Sequence, residues 1–215
     1  MNETERKDHA VNQRPWHRLY EHNVPTTLRY PGYPAQQMLH ISAAMFPHKA
    51  ATNLYGSELS FGQLRARVLR MANALSGLGV KKGDRIGMAL LNCPQFIIAY
   101  YAILSVGGIV VNMNPLYTHD ELRSMIETTG MKGIFTYDGA LPIVRPLAET
   151  TGLKHVIVTK ISDYMDGAAR SSARKLDLEK GWHHFSELLE SSSDTRIPRV
   201  PVNSEDPALI QFTGG

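Results

Sequence analysis

Lys82-Gly-Asp-Arg-Ile-Gly-Met-Ala-Leu-Leu-Asn-Cys-Pro94 is the stretch that decides the fold. Lys82-Gly-Asp84 has turn chemistry, and residues 85–91 form a short apolar run of strand length. Asn92-Cys93-Pro94 then reads as a helix start, with proline where its missing N–H costs nothing. The helix predicted over 95–106 is apolar nearly all round, as expected of one sandwiched between a sheet and a further layer. Gly107-Gly108 end it, and residues 109–113 return as a strand.

The same alternation continues downstream. Asn114-Pro115 breaks the second strand, and Thr118-His-Asp-Glu121 is a capping box that opens a helix. That helix turns Leu122, Met125 and Ile126 inward and stops at Gly130. Strands are predicted over 133–137 and 155–159, flanking a helix over 141–150 that Pro146 should kink or restart. Strands separated by helices imply parallel βαβ units. The expected fold class is therefore α/β, a distorted, doubly wound, mostly parallel sheet with flanking helices.

Upstream, Ser60-Phe-Gly-Gln63 is a second capping box. The helix it opens carries the stripe Leu64, Val68, Met71, Ala72, Leu75 and Leu78, with Gly77 and Gly79 at its end. Arg65, Arg67 and Arg70 sit mostly off the stripe and read as a solvated face. A hairpin over 53–58 turns at Gly56, and a helix over 35–45 presents Met38, Ile41 and Met45 on one face. Residues 1–37, with four prolines among Trp16, Tyr20, Tyr30 and Tyr33, read as an extended arm anchored by its aromatics. Residues 162–180 read as an exposed insertion, and 182–189 as a short helix.

Composition narrows the function. The 215 residues are 43% hydrophobic and 20% charged, which suits a globular domain with a real core. The net charge of +3 comes without a long Lys/Arg block, so nucleic acid is not an expected partner. The single cysteine excludes an internal disulfide and fits a reducing compartment. The polar N-terminus has no secretory signal pattern. A cytoplasmic protein is the expectation.

Few residues carry chemistry. The first βα turn has no G-x-G-x-x-G, which removes the main support for a dinucleotide site. Cys93 at a helix start has the position of an activated thiol, but its apolar setting reads as a buried structural one. His183 and Glu187 stand at a ligand spacing on the helix expected there, yet no further motif supports a metal, and none is expected. The remaining candidate is the last stretch, Asp206-Pro-Ala-Leu-Ile-Gln-Phe-Thr-Gly-Gly215. A strand over 208–212, read as buried, empties into Thr213-Gly214-Gly215. Such a turn lets backbone N–H groups close on an anion.

Several blocks in order carry a family resemblance: Leu59-Ser-Phe-Gly-Gln-Leu64, Val80-Lys-Lys-Gly-Asp-Arg-Ile86, Asn92-Cys-Pro-Gln-Phe96, Gly107-Gly108, Asn112-Met-Asn-Pro-Leu-Tyr-Thr118 and the terminal block. From about Trp16 to Gly215 the chain resembles the N-terminal part of bacterial long-chain fatty acyl-CoA synthetases, in the adenylate-forming, AMP-binding superfamily. The resemblance implies that Thr213, Gly214 and Gly215 begin a Thr/Ser/Gly-rich loop, closed by a lysine, that holds the ATP phosphates. It divides the chain into the arm, 1–37, and an incomplete N-terminal α/β subdomain, 38–215, cut at the start of that loop. It implies ATP with Mg2+, a fatty acid and CoA for the whole enzyme, and an inactive fragment here. No catalytic residue is assigned. The fatty substrate leaves room for peripheral contact with the inner membrane, and an apolar face around the 96–106 helix or the last strand leaves room for a homo-oligomer. Two other readings stand beside this one: an adenylate-forming ligase for aryl or amino acids, and a free-standing α/β interaction module.

Overall fold

Six parallel strands in the order β7-β6-β5-β3-β4-β8 form the sheet of this computed structural model, which describes residues 14–165 and 176–213. They are β3 (Arg85–Ala89), β4 (Ile109–Asn112), β5 (Gly133–Tyr137), β6 (His155–Thr159), β7 (His183–His184) and β8 (Leu209–Gln211). The chain steps from β3 to β4 on one side, then returns past β3 to lay down β5, β6 and β7 on the other. That reversal makes the sheet doubly wound, as the alternation of 82–159 implies. β1 (Ala50–Leu54) and β2 (Ser57–Ser60) pair separately as an antiparallel hairpin. Tyr55 and Gly56 make its two-residue turn at φ 49° and 93°, the pair of positive values that such a hairpin requires.

The helices are α1 (Gln37–Met45), α2 (Phe61–Gly77), α3 (Pro94–Ser105), α4 (His119–Thr129), α5 (Leu141–Thr150) and α6 (Phe185–Ser191). Both expected capping boxes are formed. The Gln63 amide donates to Ser60 Oγ at 3.2 Å while the Ser60 amide donates to Gln63 Oε1 at 2.9 Å. The Thr118 amide donates to Glu121 Oε2 at 2.7 Å, and Gly130 ends α4 at φ 57°, a conformation that favours glycine.

Two apolar clusters cover the two faces of the sheet. One joins α2, α3 and α6 to Ile86, Met88, Val110, Phe135 and Ile157. The other joins α4 and α5 to Val111, Ile134, Val156 and Val158. The alternation of neighbouring residues between clusters follows the two-residue period of a strand. Phe135 and Phe185 meet edge to face in the first cluster, centroids 6.1 Å apart. Asp84, only 6% exposed, ties the lower ends of the strands together. It accepts from Lys132 Nζ at 2.6 Å and from the Lys81 amide at 2.9 Å.

Three expectations need correction. The helix α1 buries Leu39 and Ala43, whereas Met38 and Met45 are 56% and 64% exposed. The sequence signal fails there because the helix is short and apolar on more than one side. His183 and His184 are strand rather than helix, paired with Ile157 and Val158, and α6 begins only at Phe185. Available pairing at the β6 edge overrides the local helical pattern. Pro146 sits inside α5, which runs from Leu141 to Thr150 as expected. Finally, β8 is not buried: its residues read exposed, half-buried, exposed, and Leu209 is 42% exposed. Among the described residues it pairs with β4 alone, and Ile210 and Phe212 on one side, with Ala208 before it, pack against the clusters.

The chain forms two compact units, 1–32 and 33–215. In the described part of the first, Pro15–Leu19 form one turn of 3-10 helix, and Trp16, Tyr20 and Tyr30 are exposed. Residues 166–175, within the expected insertion, lie outside the described residues.

Candidate functional site

In an open parallel sheet, ligands bind beyond the carboxyl ends of the strands, where the winding reverses. The strand order puts that reversal between β3 and β5; the ends of β3, β4 and β8 continue the same carboxyl edge to one side of it. β3 leads into Asn92-Cys93-Pro94, β4 into Met113-Asn114-Pro115 and β8 into Phe212-Thr213. Thr213 is exposed just beyond β8, beside the turn in which Asn114 Oδ1 accepts from the Leu116 amide at 3.0 Å. Gly214 and Gly215, the other two residues expected to hold phosphate, lie outside the described residues.

β8 reaches this position by being tied at both ends. Ahead of it, Lys82 Nζ lies 2.6 Å from Asp206 Oδ2 and donates to the Pro201 carbonyl at 2.8 Å. The Asn203 amide donates to the same Asp206 carboxylate at 2.7 Å. That amide and then Lys82 hold the Asp206 carboxyl below its ordinary range. The Val110 amide donates to the Ala208 carbonyl at 3.0 Å and begins the ladder. At the other end, Asn112 Nδ2 donates to Gln211 Oε1 at 2.8 Å, and Gln211 Nε2 donates to the Phe212 carbonyl at 3.1 Å. Sequence reading missed these ties because their partners lie about a hundred residues apart. Their only trace was that both partners fall inside the quoted blocks.

The other candidates have structural surroundings. Cys93 is buried at the N-cap of α3, and burial pushes its thiol up despite the nearby Phe96 and Gln95 amides. Such a thiol is inert as a nucleophile. Gln95, fully buried two residues on, donates from Nε2 to the Lys160 carbonyl at 2.8 Å. His183 sits in β7 and Glu187 on α6, so the spacing they would have on one helix does not apply. Burial lowers the His183 pKa. Burial and then the neighbouring His183 lower that of His155. Among the described residues, no group of three His, Cys, Asp or Glu side chains could hold a metal ion.

The arginines of α2 are less solvated than their pattern suggests. Arg65 Nε donates to His40 Nδ1 at 3.1 Å, and Arg67 lies over the Tyr164 ring, 5.8 Å from its centroid. Burial pushes the Tyr164 phenol up to about 12. Arg67 and Arg70 line a cavity of about 610 Å³ between β2, α2 and α6. A smaller cavity, about 330 Å³, lies between β1 and the start of α3 and is lined by Thr52, Asn92 and Phe96 among others. Thr213 lines neither cavity.

Comparison with known proteins gives three kinds of match. A family model described as "AMP-binding enzyme" matches residues 39–215. A long-chain-fatty-acid–CoA ligase of Bacillus subtilis is 31% identical over 214 residues, covering 95% of this chain and 38% of the ligase. Among solved structures, a long-chain-fatty-acid–CoA ligase from Archaeoglobus fulgidus superposes with a TM-score of 0.73 at 23% identity, covering 91% of this chain and 37% of that one. An anthranilate CoA ligase in complex with anthranoyl-AMP gives 0.74 at 20% identity, covering 86% and 33%. At those identities the structural likeness speaks for the fold alone. The chain thus spans somewhat more than a third of the length of these relatives. No helix among the described residues is long and apolar enough to cross a membrane.

Proposed function

The chain belongs to the AMP-binding enzyme family, and from that premise we propose that it is the N-terminal part of a long-chain fatty acid–CoA ligase. The whole protein would join a fatty acid to AMP, releasing pyrophosphate from ATP, and then pass the acyl group to CoA. The observation that carries the reading is the delivery of Thr213 by β8 to the carboxyl edge of a doubly wound sheet. The likeness to the Bacillus subtilis ligase along nearly the whole chain supports the substrate class.

In this reading Thr213, Gly214 and Gly215 are the first residues of the loop that holds the ATP phosphates. The exposed Thr213 hydroxyl suits an anion. Mg2+ would accompany the ATP phosphates. It would neutralise charge on the phosphates when bound. What this chain contributes is position: a rigid sheet edge from which the loop departs. Phosphoryl and adenylyl transfer depend on charge fixed around the phosphates, and the lysine that closes the loop in the family is not among these 215 residues. In this reading the chain is scaffold for chemistry completed elsewhere in the protein, an arm over 1–37 followed by an α/β subdomain over 38–215. The exposed Leu209 side of β8 is the surface through which copies of the isolated chain would associate.

The test is a ligation assay on the full-length protein with palmitate, ATP and CoA. Palmitoyl-CoA and pyrophosphate are expected in equal amounts. A full-length protein that activates an aryl or amino acid in preference to palmitate contradicts the substrate assignment.

A further inference from the structure

The side chain of Asn112 stands at the end of β4, in register with Gln211 at the end of β8. Its Nδ2 donates to Gln211 Oε1 at 2.8 Å, which fixes which way the Gln211 amide faces. The other half of that amide, Nε2, donates to the Phe212 carbonyl at 3.1 Å. Phe212 C=O belongs to the peptide that joins Phe212 to Thr213. A two-bond relay therefore runs from β4 to the peptide from which Thr213 leaves the sheet.

Among the described residues β8 pairs with β4, and Phe212 packs against the second cluster. The Lys82–Asp206 pair lies at the other end of the strand and cannot orient its carboxyl end. The amide relay therefore adds a hydrogen-bonded tie to the packing of Phe212 at the peptide from which Thr213 leaves.

We propose that Asn112 is a positioning residue for the phosphate loop, acting through Gln211 to set the angle at which Thr213 is presented to the nucleotide. This rests on the reading of Thr213 as a phosphate-loop residue. Asn112 touches no substrate in this scheme. Its effect falls on ATP, and the fatty acid and CoA are indifferent to it.

The experiment is steady-state kinetics of the full-length protein with Asn112→Leu and Gln211→Glu, beside Lys82→Met as a control on the same strand. Gln211→Glu still accepts from Asn112 but cannot donate to the Phe212 carbonyl. Both relay variants are expected to raise KM for ATP about five- to tenfold, the loss of one ordering hydrogen bond. KM for palmitate and the thermal midpoint should stay close to those of the wild type. Lys82→Met is expected to lower the midpoint without that selectivity. If Asn112→Leu does not fold, Asn112→Asp takes its place. It is nearly isosteric, and it can pair with Gln211 only by turning the amide away from Phe212. Unchanged KM for ATP in the relay variants overturns the proposal, as does a parallel rise for all three substrates with a fallen midpoint, the mark of a merely structural role. A wild-type protein that consumes no ATP overturns the functional reading together with this one, and is told apart by failing before any substitution is made.

Discussion

β3 and β8 are strands of one sheet held by different forces. β3 is paired on both sides and covered on both faces, and Ile86 and Met88 are essentially inaccessible to water. Apolar burial alone accounts for such a strand, at about 1.5–3 kcal/mol for each large side chain. β8 has one neighbour and two exposed residues, and it is kept in place by the Lys82–Asp206 pair at one end and the Asn112–Gln211 pair at the other. The interior carries the stability, and the edge is where the proposed function puts the chemistry. Because the two draw on different interactions, substitutions should separate them.

The largest effect is expected in the interior. Phe135→Ala removes a fully buried ring from its contact with Phe185 and should destabilise the chain by about 3–5 kcal/mol, read from the urea midpoint. A loss below ~1 kcal/mol would mean that the packing around β5 is loose. Asp84→Asn comes next. Burial alone would raise the Asp84 pKa, but the hydrogen bonds from Lys132 and Lys81, with the charges of Lys132 and Arg85, bring it below its ordinary value of 3.8. A depressed carboxyl contributes stability that is complete above that ordinary value and is lost as pH falls through the lower, folded one. The Asn variant should lose about 1–2 kcal/mol at neutral pH. It should also show a flatter decline than the wild type below pH 3.8. Parallel acid limbs for the two proteins would rule out Asp84 as a source of acid sensitivity. Ser60→Ala, which removes the cap of α2, should cost about 1 kcal/mol. Smallest in stability is Lys82→Met. It should speed hydrogen exchange at the Val110 amide, which is bonded to Ala208, while leaving the β3 amides unchanged. Equal acceleration in both strands would show that the edge is not an independent unit.

This division also explains what could be read from the sequence. The β3–α3–β4 unit was legible because each of its signals is local: a glycine turn, a proline at a helix start, apolar runs of the right length. The capping boxes at Ser60 and Thr118 were legible for the same reason. β8 was found in position but misread as buried, since an apolar run says nothing about whether a strand has one neighbour or two. His183 and His184 were misread as helix because their strand exists only through pairing with β6. In the site, Thr213 could be proposed from its strand-to-turn context. Asn112 and Lys82 could not be, because their partners are fixed by the order of strands.

The most direct test of the division is Thr213→Ala in the full-length protein, comparing KM for ATP with the thermal midpoint. Thr213 is exposed beyond the last strand, so the midpoint should not move. KM for ATP should rise about tenfold or more, the loss of a hydrogen bond to a charged phosphate. A variant with unaltered KM for ATP would contradict the assignment of the β8 edge as the start of the nucleotide site.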